Sequence, residues 1–251
     1  MVVADLVLVL WREGGSPMQK TLKQLAKVWM QHIHPRLMSF VAAVGLLWLG
    51  SCLLILLGLA NLADEVLEQE AFAFDEAILL WIHQFASPTL DGVMLTFTRL
   101  GDPAAIVPLA CIGVSWHLWR RHWSVATVFA INLIGGVVLS AGLKLLFSKP
   151  RPDLWPQIIT ETTYSFPSGH ALGSMVLYGF WAYLLARRFP QRNRLIYAGA
   201  VLLIGGIGLS RLYLGVHWPT DVLAGYGMGF LWISGCIALL RFKLSTPPWL
   251  N

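Results

Sequence analysis

Long uncharged stretches alternate with short polar punctuation along this chain. Met38 to Ala60 is the first unbroken run, long enough to cross a bilayer, which takes roughly 20 apolar residues per helix. A second crossing begins near Leu90, passes Arg99, Gly101, Asp102 and Pro103, and resumes from Ala104 to Trp119, so a bent or broken helix is predicted. Trp123–Leu143, Ala171–Ala186, Leu195–Leu209 and Val222–Leu240 are the third to sixth crossings. The pattern predicts an all-α, polytopic bundle of six transmembrane helices. Between the first two crossings, Phe74, Ile78, Leu79, Trp81, Ile82 and Phe85 recur at three- and four-residue spacings. They predict a helix over Phe72–Phe85 that either lies in the membrane interface or packs outside the membrane on the bundle. From Ser148 to Pro167 the chain carries Pro150, Pro152, Pro156 and Pro167, which exclude a continuous helix and predict a loop.

Composition supports this division. Of 251 residues, 57% are hydrophobic and only 12% charged, against about 25% charged in a soluble domain. A net charge of +5 invites a nucleic-acid partner, but the basic residues sit in short segments between helices, so no such partner is expected. Three divisions follow: a leader at 1–37, the membrane domain at 38–243 and a tail at 244–251. Val2–Leu10 is short for a span and lacks a cleavage site, and Met18 is an alternative start. Cys52, Cys111 and Cys236 lie in apolar runs without metal-ligand spacing, so buried packing is expected for each. Gly205, Gly206 and Gly208, with Gly225, Gly227 and Gly229, lie within apolar helices and mark close helix packing rather than a nucleotide loop.

Charge also sets the expected orientation. The leader, Arg120–Arg121, Arg187–Arg194 and Arg241–Lys243 fall on alternate turns, which puts both termini in the cytoplasm. The acidic segment around Asp64–Glu76 is then outside, and so, against the bias, are Lys144, Lys149, Arg151 and Arg211. Six alternating crossings bring Lys144, the Ser168–His170 segment, Arg211 and the His217–Asp221 segment to one outer face.

Their chemistry suits an anion. Ser168 and Gly169 open a helix, where a cap, a close backbone approach and free amides favour a phosphate. Arg151 and Arg211 offer planar forks for phosphoryl oxygens, and Lys144 a point charge. His217 and Asp221 stand four apart across Pro219, a spacing that lets the carboxylate orient the imidazole for covalent phosphoryl transfer. An interfacial His beside a helix-capping Asp fits the same spacing. His83, His117 and His122 lack such company and are read as interfacial or cytoplasmic. Two histidines with Asp221 could ligate a metal, but the surrounding Lys144, Arg151 and Arg211 would repel a cation, so no metal is expected.

Lys144-x6-Arg151-Pro152, Pro167-Ser168-Gly169-His170 and Ser210-Arg211-x5-His217-x3-Asp221 together resemble the three-part signature of the type-2 phosphatidic acid phosphatase family, complete and in order. The likeness covers about Met38 to Lys243. It implies a membrane lipid phosphatase without cofactors, acting on phosphatidic acid, phosphatidylglycerol phosphate or undecaprenyl pyrophosphate. It further implies that His217 attacks phosphorus, Asp221 holds its ring, and His170 protonates the leaving oxygen and then activates water. Lys144, Arg151, Ser168, Gly169 and Arg211 would bind the phosphoryl oxygens. A phosphotransferase using an isoprenoid pyrophosphate donor is the alternative on the same scaffold. A non-catalytic transporter or lipid-binding protein is a more distant one, since its expected mark, charge inside the spans, is confined to Arg99–Asp102.

Overall fold

A computed structural model describes residues 46–67 and 73–245; the leader, the start of the first apolar run, residues 68–72 and the tail from 246 lie outside the described residues. What is described is helical throughout, without a strand. In order come α1 (Leu46–Leu67), α2 (Ala73–His83), α3 (Pro88–Gly101), α4 (Pro103–Trp119) and α5 (Trp123–Phe147). After a loop follow α6 (Gly169–Ser174), a π-helical turn at Met175–Gly179, α7 (Phe180–Arg188), α8 (Asn193–Tyr213) and α9 (Pro219–Ser245).

Three of these helices are long and apolar enough to cross a membrane: α5, α9, and α8 with the short turn before it. The α3–α4 pair makes a fourth if counted as one broken span. The outer surface is the surface of a membrane protein: Leu54 is 71%, Val137 69% and Leu202 73% exposed. Such residues in water would each forgo roughly 1.5–3 kcal/mol of burial, whereas lipid solvates them. Cys111 follows the same logic. It is exposed and Cys52 half-buried, and only Cys236 is buried as expected, because an apolar side chain facing lipid needs no burial in protein.

The interior packs Val128 and Phe129 of α5 against Leu177, Phe180 and Tyr183, with Ile204 and Ile207 of α8 and Ile237 and Leu240 of α9 closing the other side. Where the π turn disturbs the helical ladder, Asn132 of α5 donates through Nδ2 to the carbonyl of Val176 at 2.8 Å. Backbones approach closely at several of the expected glycines. A Cβ on Gly206 would fall 2.4 Å from the Phe97 ring, whereas Gly205 has open space.

Helix ends carry the functional positions. Ser87 caps α3, whose end at Gly101 is enforced by Pro103: the residue before a proline is driven out of helical geometry, and Asp102 sits at φ −70°, ψ 151°. The expected break is thus real, with a bend of 44°. Helix α5 stops at Ser148, held left-handed at φ 46°, before the prolines of the loop. Between α8 and α9, Gly215 turns at φ +69° directly against the Trp155 indole, which also stacks on His83 at 4.0 Å between centroids. His83 thus packs against this turn through Trp155.

The helix expected at Phe72–Phe85 appears as α2. It ends at His83, buries Asp75, Leu79 and Ile82 against the bundle and exposes Phe74, Ile78 and Trp81. At the start of α6 the two backbones nearly touch: a Cβ on Gly225 of α9 would lie 2.7 Å from the Ser168 carbonyl oxygen and 2.9 Å from Ala171 Cβ. Neither atom belongs to a flexible side chain. Gly225→Ala is expected to cost about 1–3 kcal/mol, the usual range for overpacking, and to lower the melting temperature. Gly142→Ala, with nothing within 4 Å, is the control expected not to lower it.

Candidate active site

The three sequence segments converge at one end of the bundle. His217, 1% exposed, precedes α9 and sets its Nδ1 3.3 Å from Asp221 Oδ2, while its Nε2 lies 3.2 Å from Arg151 Nη1. A guanidinium only donates, so Nε2 is the accepting nitrogen and the ring proton sits on Nδ1, shared with the carboxylate. The free lone pair therefore points into the basic cluster. Burial pushes the imidazole down to about 3, against the hydrogen bond and charge of Asp221, with Arg151 adding to the depression. His217 is neutral at ordinary pH.

Asp221 makes both contacts that its spacing left open, to the His217 ring and to the start of α9. Its Oδ2 accepts Trp218 N at 2.9 Å, capping α9, and also faces His217 and accepts the Ser165 hydroxyl. Its backbone carbonyl accepts Ser168 N at 3.0 Å, which ties the start of α6 to α9. Ser168 caps α6 by accepting Ala171 N at 3.4 Å, and Gly169 lies beside Lys144, whose Cε would be 3.7 Å from an added Cβ.

The cations surround this point. Arg151 donates from Nε to Thr163 O at 2.8 Å and from Nη1 to Val216 O at 2.6 Å, which fixes its plane beside His217. Lys144 donates to the Tyr164 carbonyl and to Thr163 Oγ1, an oxygen it shares with Arg151. Arg211 is fully buried, with one arm on Thr98 and the other on Glu161; its Nε–H has no acceptor. Glu161 also lies 3.8 Å from Arg151. Burial opposes its charge, yet Arg211 and Arg151 outweigh that and hold its carboxyl below the usual range. Oε1 thus accepts from Arg211, and Oε2 faces Arg151 as an ion pair. A cavity of about 750 Å³, lined by Lys144, Lys149, Arg151 and Glu161 among others, opens beside the cluster.

Comparison with known proteins identifies the arrangement. The PAP2 superfamily pattern matches residues 121–244. The chain is 34% identical over 164 residues to phosphatidylglycerophosphatase B of Bacillus subtilis (strain 168), covering 62% of this chain and 78% of that one. The chain belongs to the PAP2 superfamily. An undecaprenyl-diphosphatase of Sulfolobus acidocaldarius is 28% identical over 171 residues, covering 66% of this chain and 78% of that protein. Among solved structures, a transmembrane PAP2-type phosphatidylglycerolphosphate phosphatase from Bacillus subtilis superposes with a TM-score of 0.69 at 28% identity, over 79% of this chain and 98% of that one. Aquifex aeolicus LpxE superposes with a TM-score of 0.53 at 27% identity, over 68% and 97%.

All eight residues singled out from the sequence of this PAP2 protein lie at this end of the bundle. Several of their partners were not foreseen. His170 is not without a carboxylate: its Nε2 lies 2.7 Å from Asp102 Oδ1, at the break between α3 and α4. The break was visible in sequence; its pairing across 68 residues was not. Glu161, Ser165, Lys149 and Thr163 likewise carry no spacing signal. Among the described residues, no group of three or more His, Cys, Asp or Glu side chains is arranged to hold a metal ion.

The neutral, buried His217 also has a thermodynamic consequence. Its unfolded pKa near 6.5 lies above the folded value, so between the two the unfolded chain binds more protons. Its contribution to stability is therefore intact above about pH 6.5 and fades as pH falls toward 3. Thermal melting from about pH 7 to about pH 4 should fall more steeply for the native protein than for His217→Gln. Parallel curves would remove this role for the imidazole.

Proposed function

We propose that this PAP2 protein is a metal-independent membrane lipid phosphatase working through a phosphohistidine. The protein is a phosphoric ester hydrolase, and its relatives named for phosphatidylglycerophosphate and undecaprenyl diphosphate indicate lipid-linked phosphates as the substrate class. Phosphatidic acid, phosphatidylglycerol phosphate and undecaprenyl pyrophosphate are the candidates. The observation that carries the mechanism is the orientation of His217. Its Nδ1 proton is committed to Asp221, and its Nε2 lone pair faces Arg151 at 3.2 Å within a cluster of cations.

In the first step Nε2 attacks phosphorus, a P–N bond forms, and the bond from phosphorus to the leaving oxygen breaks. His170, oriented by Asp102, gives that oxygen a proton. In the second step His170 takes a proton from water, whose oxygen attacks phosphorus as the P–N bond breaks, releasing phosphate and restoring His217. Lys144, Arg151 and Arg211, with Ser168 and Gly169 at the start of α6, hold the phosphoryl oxygens and the charge that builds on them. Three fixed cations supply the electrostatic role that a metal would otherwise fill. Phosphate displaces Glu161 from the guanidiniums as it enters.

The membrane arrangement belongs to the same reading. Six crossings are formed by α1, α3 with α4, α5, α6 with α7, α8 and α9. Arg120, Arg121, Arg187, Arg188, Arg192, Arg194, Arg241 and Lys243 mark the cytoplasmic end, which leaves the site at the outer face and both termini inside. The lipid tail remains between helices while its headgroup reaches the basic cluster.

Purified protein, assayed in excess chelator against these three lipid phosphates, is expected to release phosphate at an undiminished rate from at least one. His217→Ala should be slower by roughly 10³-fold or more, and His170→Ala by about 10²–10⁴-fold. Full activity in His217→Ala would overturn the mechanism, and loss of activity in chelator would overturn its metal independence.

A further inference from the structure

At the Oδ1 side of Asp221, where Lys149 also lines the cavity, lies a second set of charges that belongs to none of the three signature segments' defining positions. Lys149 Nζ donates to Asp221 Oδ1 at 3.0 Å and to Thr220 Oγ1 at 3.0 Å. It also lies 3.9 Å from Asp75 Oδ2, with its side chain 12% exposed and the rings of Phe166 and Trp218 within 6 Å. Asp75 comes from α2, outside the stretch matched by the family pattern. It is buried, accepts Thr220 N at 3.1 Å through Oδ1, and accepts Thr220 Oγ1 at 2.6 Å through Oδ2. The Thr220 hydroxyl thus donates to one acidic residue while accepting from the lysine.

This arrangement divides the oxygens of Asp221. Oδ2 serves His217, Trp218 N and Ser165, whereas Oδ1 is held by Lys149 alone among the hydrogen bonds given above. A carboxylate gripped at both oxygens cannot rotate, so the imidazole that depends on it is fixed as well. The ammonium also draws charge from Asp221, which makes His217 a weaker base and keeps Nε2 free of a proton. Asp75 acts in the opposite sense, because its negative charge offsets part of the lysine's. Among the described residues, Asp75 from α2 and Asp221 from α9 pair with Lys149; Arg151, Arg211 and Lys144 also act on the Asp221–His217 pair.

We propose that Lys149 and Asp75 are positioning residues for the phosphatase reaction, which fix the Asp221–His217 pair and set its charge balance through Oδ1 of Asp221, with α2 as the carrier of Asp75. The inference rests on His217 being the nucleophile.

The test measures phosphate release from phosphatidic acid in detergent micelles, as kcat and KM against pH, for the full-length protein. Lys149→Met is expected to lower kcat about tenfold with KM within about twofold, and to move the acid limb of the profile up by about one pH unit. Lys149→Arg should retain most of the rate. Asp75→Asn should move the acid limb the other way, by less than Lys149→Met moves it, because burial pushes the Asp75 carboxyl up and its charge offsets the lysine's only where it is ionised. Opposite displacements are what a merely structural role would not produce. The proposal is overturned by a folded Lys149→Met protein with an unchanged profile, by displacements of the same sign, or by a KM rise without loss of kcat, which would make Lys149 a substrate contact. If Lys149→Met does not fold, the Asp75→Asn displacement and the Lys149→Arg rate decide alone. His217→Ala measured in parallel separates the two levels: activity there removes the nucleophile itself, whereas its inactivity beside unaltered Lys149 and Asp75 profiles removes only this inference.

Discussion

A guanidinium with no access to water is the constraint on which the rest of the site depends. Arg211 is the largest fully buried side chain among the described residues, at the end of a helix whose flanks are apolar. Burying such a charge costs several kcal/mol unless anions and hydrogen bonds compensate it. Thr98 and Glu161 compensate two arms, and Nε remains without an acceptor. The cluster therefore carries more positive than negative charge, and in the proposed reaction a phosphoryl group brings what Glu161 only partly supplies. The same excess suits a transition state in which charge spreads over phosphoryl oxygens, since donors fixed in a dry site need no reorganisation.

Holding those donors requires helix ends rather than helix middles. Pro103 frees Asp102 from the helical ladder so that it can meet His170. Ser148 and the prolines that follow release Lys149 and Arg151 into a loop, and Gly215 turns the chain tightly enough to present His217 just before α9. The close contact of Gly225 with the Ser168 carbonyl then fixes α6 against α9, which carry His170 and Asp221 respectively. Below this layer, the core is ordinary apolar packing around Phe129, Phe180 and Ile207, which gives the ends a rigid base.

Most of this was legible in the sequence because it rests on local signals. The apolar runs declared the helices, Asp102-Pro103 declared the break, and the spacing of His217 and Asp221 declared a one-turn contact. Sequence spacing offered a carboxylate to His217 alone, at i+4, and the partner of His170 was not legible for a physical reason. The carboxylate of His170 arrives from another helix, and no periodicity encodes a contact across 68 positions. Lys149, Glu161 and Asp75 escaped in the same way, since a charged residue in a loop or amphipathic helix reads as solvated until its partner is known. The cysteines show the converse limit: apolar context told that they avoid water, but not whether protein or lipid covers them.

The central claim is that phosphate passes through His217, and covalent trapping tests it most directly. His170→Ala protein given a lipid carrying labelled phosphate, then quenched in alkali, is expected to retain label at His217 as an acid-labile, alkali-stable phosphoramidate identified by peptide mass spectrometry. Label at another residue, or continued turnover of lipid when His217 is replaced by Ala, would contradict the account.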